Sequence, residues 1–188
     1  MSCIVKSVSR SASTVKLTVL TEGKTEQLRI LAADEKAAGG FASGMEADRA
    51  LLQTLSLRYE AVKRAISILS FGDNSALSLQ KKLQERGVLA ENAKFAVRLM
   101  CKQGYIKEAE QVRRKARRLF EEKSYGPARI LAKLESEGYA QTDIENAIEE
   151  MRKDGVDFAK KSKELFAAFV AQGDAPDKAK AKVYRLGY

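Results

Sequence analysis

Five cations stand in six residues within Val112-Arg-Arg-Lys-Ala-Arg-Arg-Leu-Phe120: Arg113, Arg114, Lys115, Arg117 and Arg118. Read as a helix, the stretch buries Val112, Ala116, Leu119 and Phe120. Arg113/Arg117 and Arg114/Arg118 then form two adjacent rows on the exposed side. A guanidinium is a planar fork that grips carboxylate or phosphate with two parallel hydrogen bonds, so this surface suits an anionic partner. Lys123, Arg129 and Lys133 carry the positive surface into the next helix. Lys160, Lys161 and Lys163 form a second group, and Lys178, Lys180, Lys182 and Arg185 a third. For any one of these residues, solubility and ion pairing to Glu121 and Glu122 is an equal alternative; the cluster as a whole favours binding.

Little else points to chemistry. The chain has no histidine, so the commonest general base and the commonest zinc ligand are missing. Gly39 and Gly44 have the spacing of a phosphate loop, but Met45-Glu46 stands where Lys-Ser/Thr would have to hold phosphate and magnesium. GxGxxG and GxSxG do not occur. Glu121-Glu122 and Glu149-Glu150 sit among Arg and Lys at helical spacing and read as solvated faces. Cys3 and Cys101 are far apart with no CxxC, which implies neither disulfide nor zinc site; Cys101, in the apolar run from Phe95, is expected in the core. The tyrosines mostly follow glycines, so no base-stacking platform is evident. The expectation is a protein that is not an enzyme and has no cofactor or metal.

The 188 residues carry 34 Lys+Arg against 25 Asp+Glu, a net charge of +9. That balance favours nucleic acid, an acidic protein face or a membrane surface as partner. No run approaches the ~18 apolar residues of a membrane span, and the N-terminus lacks the apolar core of a signal peptide. A cytoplasmic, monomeric protein without membrane contact is expected.

The elements that position these cations follow from periodicity. Residues 1–33 hold short β-like segments: Ile4, Val5 and Val8, then Val15, Leu17 and Val19 in strict alternation, then Leu28 and Ile30. They predict a sheet of two or three antiparallel strands that must lean on a helix. Residues 37–44 read as a flexible connector. From Glu46 the chain reads helical, over 46–56, 58–70, 75–86, 90–103, 107–123, 127–137, 142–154, 157–171 and 176–186.

These helices repeat. Gly87-Val88 falls on Gly138-Tyr139, and Gly104-Tyr105 on Gly155-Val156, at an offset of 51. Phe120 falls on Phe169, Pro127 on Pro176 and Gly138-Tyr139 on Gly187-Tyr188 at an offset of 49. Five helices thus end in glycine followed by Val or Tyr, one cap device reused. The predicted fold is mainly α: tandem three-helix repeats in an elongated array with a small N-terminal antiparallel β-sheet. The predicted divisions are 1–57 (strands plus a helix), 58–106 (repeat 1), 107–156 (repeat 2) and 157–188 (repeat 3, two helices).

Lys123-Ser-Tyr-Gly-Pro-Ala-Arg-Ile130, with Leu134 and Gly138-Tyr139, resembles the RecX family of bacterial regulatory proteins. Ala65–Ser70, Ser75, Leu79, Lys82-Leu83 and Gly87 look like that family's first repeat, and Gly104-Tyr-Ile106 like its link into the second. The resemblance covers essentially the whole chain. Phe71-Gly-Asp-Asn74 lacks the arginine usual before the serine, Ser78 replaces a usual glutamate, and Lys107-Glu108 replaces usual aspartates. The middle unit matches best, so contact is expected there rather than in the first.

The resemblance implies a non-enzymatic regulator lying along the RecA–DNA filament, restraining its ATP hydrolysis, strand exchange and coprotease activity, and so limiting recombination and the SOS response. The partners implied are the RecA filament and DNA, reached directly or through the filament. The expected contact residues are Arg113, Arg114, Lys115, Arg117, Arg118, Lys123, Arg129, Lys133, Lys160 and Lys161. The alternative is a helical-repeat protein that binds nucleic acid directly through its basic helix faces.

Overall fold

The computed structural model describes residues 2–188. Three strands come first: β1 (Ser2–Arg10), β2 (Thr14–Thr21) and β3 (Lys24–Leu31). Val15, Leu17 and Val19 are buried at every second position of β2, and Cys3 and Val5 lie on the same side of β1, so one face of the sheet becomes core. A short helix, α1 (Ala32–Ala37), and a fourth strand, β4 (Glu46–Asp48), follow. The sheet is antiparallel throughout, in the order β3-β2-β1-β4, with a bulge in β1 between Val5 and Ser7.

The segment read as a flexible connector is stitched to β1. Gly44 N–H donates to the Val5 carbonyl (2.8 Å), and Val5 N–H to the Met45 carbonyl (2.9 Å). Arg10 reaches both the Glu35 carboxylate (2.5 Å) and the Phe41 carbonyl (2.6 Å), and the Phe41 side chain is buried. The helices expected over 46–56 and 58–70 are corrected as well. Glu46–Asp48 is strand, and one helix, α2, runs unbroken over Arg49–Leu69. Nothing between Leu55 and Glu60 breaks a helix, since the stretch has neither Gly nor Pro. Asp48 starts α2 by accepting the Ala50 N–H (2.9 Å).

The remaining helices are α3 (Ala76–Glu85), α4 (Ala90–Lys102), α5 (Glu108–Lys123), α6 (Pro127–Ser136), α7 (Gln141–Lys153), α8 (Phe158–Ala171) and α9 (Pro176–Arg185). Gly87, Gly104, Gly138, Gly155 and Gly187 all take positive φ, between 75° and 93°, as the repeated cap requires. At Gly138 the full motif is present: Gly138 N–H donates to the Glu135 carbonyl and Tyr139 N–H reaches back to the Leu134 carbonyl.

The chain forms two compact units: residues up to Gly72 with Leu79–Gln103, and Asp73–Ser78 with Gly104–Tyr188. In the first, α2 packs on the sheet through Leu52 and Leu55. In α4 the buried stripe is Ala93, Ala96, Val97 and Met100. Cys101 is exposed, contrary to its expected place in the core, because that stripe ends one residue earlier at Met100. In the second unit the core is Val112 and Ala116 of α5, Ile130 and Leu134 of α6, Tyr139, and Ile144, Ala147, Ile148 and Met151 of α7, closed by Phe158.

Candidate interaction surface

Burial of Val112 and Ala116 fixes the rotation of α5. Gln111 is buried too, and its side-chain Oε1 accepts a hydrogen bond from the Tyr139 hydroxyl (3.1 Å). The cations are therefore turned outward on two sides. On one side Arg113 Nε meets Glu150 Oε2 at 2.7 Å and Arg117 meets Asp154 at 2.5 Å, so this row faces α7 across a groove of about 620 Å³. On the other, Arg114 meets Asp73 at 2.5 Å and Lys115 meets Glu137 at 2.5 Å beside a smaller groove of about 320 Å³. Arg118 borders both grooves and pairs along the helix with Glu122 at 3.5 Å.

Glu137 is the hub of the second side. It accepts Lys115 and also Lys133 (3.2 Å), so an α6 cation joins an α5 cation at one carboxylate. Burial acts to raise the Glu137 carboxyl, but the hydrogen bonds and charges of Lys115 and Lys133 outweigh it and hold it below its ordinary range. Burial likewise opposes charge on Lys115, yet its bonds to Glu137 and Tyr139 raise it above the usual lysine value. The Lys115 ammonium also lies 5.0 Å from the centre of the Tyr139 ring. Arg114 is raised by its hydrogen bond to Asp73.

Lys123, Arg129, Lys160 and Lys161 line neither groove, and among the described residues none of them has a carboxylate at ion-pair distance. Arg129 stacks 5.6 Å over the Tyr125 ring. The ten expected contact residues thus divide into six that are locally neutralised (Arg113, Arg114, Lys115, Arg117, Arg118 and Lys133) and four that are not. Periodicity did not reveal the partner carboxylates Asp73, Glu137, Glu150 and Asp154. A faint signal existed: Glu137 and Asp154 each stand directly before a cap glycine.

The head of α3 is built from the same parts. Ser75 Oγ accepts the Ser78 N–H (3.0 Å) and donates to the Glu137 carbonyl (2.7 Å), which ties it to the end of α6. The Ala76 N–H donates to the Glu108 carboxylate (2.7 Å). Glu108 thus supplies, from α5, an acceptor for one of the donors at this helix head.

No helix among the described residues is long and apolar enough to cross a membrane. No protein-family model matches the chain, and no curated protein matches it in sequence. In three dimensions it is similar to a crystal structure of regulatory protein RecX, with a TM-score of 0.75 over 99% of this chain and 94% of that one at 16% identity. A crystal structure of RecX from Lactobacillus salivarius aligns over 69% of this chain and 96% of that one, at 13% identity and a TM-score of 0.49. The mainly helical architecture with its small antiparallel sheet is a RecX fold.

Proposed function

We propose that this chain is a regulatory protein of the RecX kind, acting without catalysis on the RecA–DNA filament in the cytoplasm and restraining its ATPase, strand-exchange and coprotease activities. The observation that carries the reading is the match in fold over 99% of the chain to regulatory protein RecX. The second unit supports it, because α5 and its neighbours gather arginines and lysines whose chemistry fits carboxylate or phosphate.

The unpaired cations Lys123, Arg129, Lys160 and Lys161 make first contact in this reading. Arg113, Arg114, Arg117 and Arg118 follow by exchanging one anionic partner for another. Such an exchange costs little, since exposed ion pairs contribute about 0–1 kcal/mol each.

The test is titration of the protein into single-stranded DNA with and without RecA, following ATPase rate and DNA binding together. Loss of ATPase at amounts far below those that coat the DNA is expected. DNA binding that is equal without RecA, falls steeply with salt and parallels any loss of ATPase would instead establish the direct nucleic-acid reading.

A further inference from the structure

In the first unit α2 packs against α4, and a cleft of about 290 Å³ lies between them. Arg58 of α2 forms one wall. Glu91, Asn92, Lys94, Phe95 and Arg98, from one face of α4, form the other. Three cations thus meet one carboxylate. Among the described residues Arg58, Lys94 and Arg98 have no carboxylate at ion-pair distance. Asp34 of α1 feels the charge of Arg58 without pairing with it, and burial raises its carboxyl.

Asn92 is 9% exposed, and among the described residues its side-chain amide has no hydrogen-bond partner. It forms part of the cleft wall, so a bound molecule reaches it. An amide so placed costs folding free energy unless something in the cleft answers it. Beside it the Arg58 guanidinium lies 5.0 Å from the centre of the half-buried Phe95 ring. A planar cation and an aromatic ring from two helices together make the stacking platform that the spacing of the tyrosines does not provide.

We propose that this cleft binds one nucleotide. The base lies against Arg58 and Phe95, and the Asn92 amide meets its edge with one donor and one acceptor, a pattern that favours adenine. Lys94 and Arg98 take the phosphate. Glu91, beside Asn92, accepts from a base amino group or a sugar hydroxyl. The seven residues from Glu91 to Arg98 cover about 10 Å of helix, comparable with the reach from base edge to phosphate in one nucleotide. An acidic protein segment would answer the cations but would meet Glu91 with like charge and leave the amide and the platform unused. None of these residues is among the ten expected contacts, and the site does not depend on the RecA reading.

The test is a titration of the nitrogen-15-labelled full chain, without RecA, with AMP and separately with a hexamer of deoxyadenylate, followed by proton–nitrogen correlation spectra. Saturable shifts are expected at the Asn92 side-chain amide and at the backbone amides of α2 and α4 around it. Lys94→Glu with Arg98→Glu, at exposed positions, weakens binding about tenfold. A hexamer that binds at least about tenfold more tightly than AMP assigns the site to single-stranded DNA, and a smaller difference assigns it to the free nucleotide. Three results overturn the proposal: no saturable shift of the Asn92 amide in either titration, the same response to inorganic phosphate, or unchanged affinity in the double variant. Because RecA is absent, such a failure leaves the RecA ATPase test standing.

Discussion

Gly126 and Gly187 meet backbone to backbone. The Gly126 N–H donates to the Leu186 carbonyl (2.7 Å), and the Ala128 N–H to the Gly187 carbonyl (3.3 Å). The end of α9 therefore supplies acceptors to the head of α6, where helix donors lack partners of their own. A methyl on Gly126 would stand 2.4 Å from the Gly187 carbonyl oxygen, and one on Gly187 would stand 2.3 Å from the Arg129 nitrogen. The same joint recurs between α6 and the head of α3, where a methyl on Gly138 would stand 2.8 Å from Ser75 Oγ. Gly155, by contrast, has positive φ with nothing within 4 Å of an added methyl.

That contrast predicts a graded response to alanine. Gly155→Ala pays only for its backbone conformation, about 1 kcal/mol. Gly187→Ala adds a clash with backbone that cannot move aside, for a total of about 2–4 kcal/mol. Urea unfolding of the two variants measures the difference. Equal midpoints would mean that the α9–α6 joint is loose.

Acid should weaken the second unit through Glu137. Its folded-state carboxyl lies below its ordinary value of 4.5, so the stability it contributes is fully present above that value and is lost as pH falls through the lowered one. Lys115 lies above its ordinary value of 10.5, so its contribution is present below 10.5 and is lost as pH rises through the raised value. Glu137→Gln should cost about 1 kcal/mol at neutral pH and flatten the acid limb of a stability-versus-pH curve. An acid limb identical to that of the unmodified chain would show that the decisive carboxylate is another.

The two thiols should react differently. Cys101 is exposed, whereas Cys3 is 2% exposed, its sulfur 3.4 Å from the Ala47 carbonyl oxygen, and burial raises its pKa. In the native protein Ellman's reagent should therefore titrate one thiol rapidly and the second only after denaturant is added. Rapid reaction of both would place β1 away from β4.

Charge reversal should separate contact from architecture. Arg113→Glu with Arg117→Glu sets like charges against Glu150 and Asp154, lowering stability by about 1–2 kcal/mol after solvent screening. Lys123→Glu with Arg129→Glu breaks no ion pair and loses only the exposed stacking of Arg129 on Tyr125, so it moves the urea midpoint less than the first pair does, and it lowers inhibition of the RecA ATPase. Full inhibition by both double variants would remove α5 and α6 from the contact surface.

The periodic features were legible residue by residue. Val15, Leu17 and Val19 announced a half-buried strand, and Gly138 and Gly187 announced helix ends, because alternation and capping act over about six residues or fewer. The same locality explains the misreadings. Cys101 belongs to an apolar run, but the geometry of α4 against α2 ends the buried face at Met100. Residues 37–44 look like a linker, yet β1 and Arg10 hold them.

The chain's own order thus determined where the cations stand, how the helices begin and end, and that one unit is written more than once. Tertiary structure alone decided which cations are already answered. Lys115 lies 22 residues from Glu137, Arg117 37 from Asp154 and Arg114 41 from Asp73. No rule of local spacing spans such distances. They close only when buried side chains such as Ala116, Leu134 and Ala147 set the angles at which α5, α6 and α7 pack.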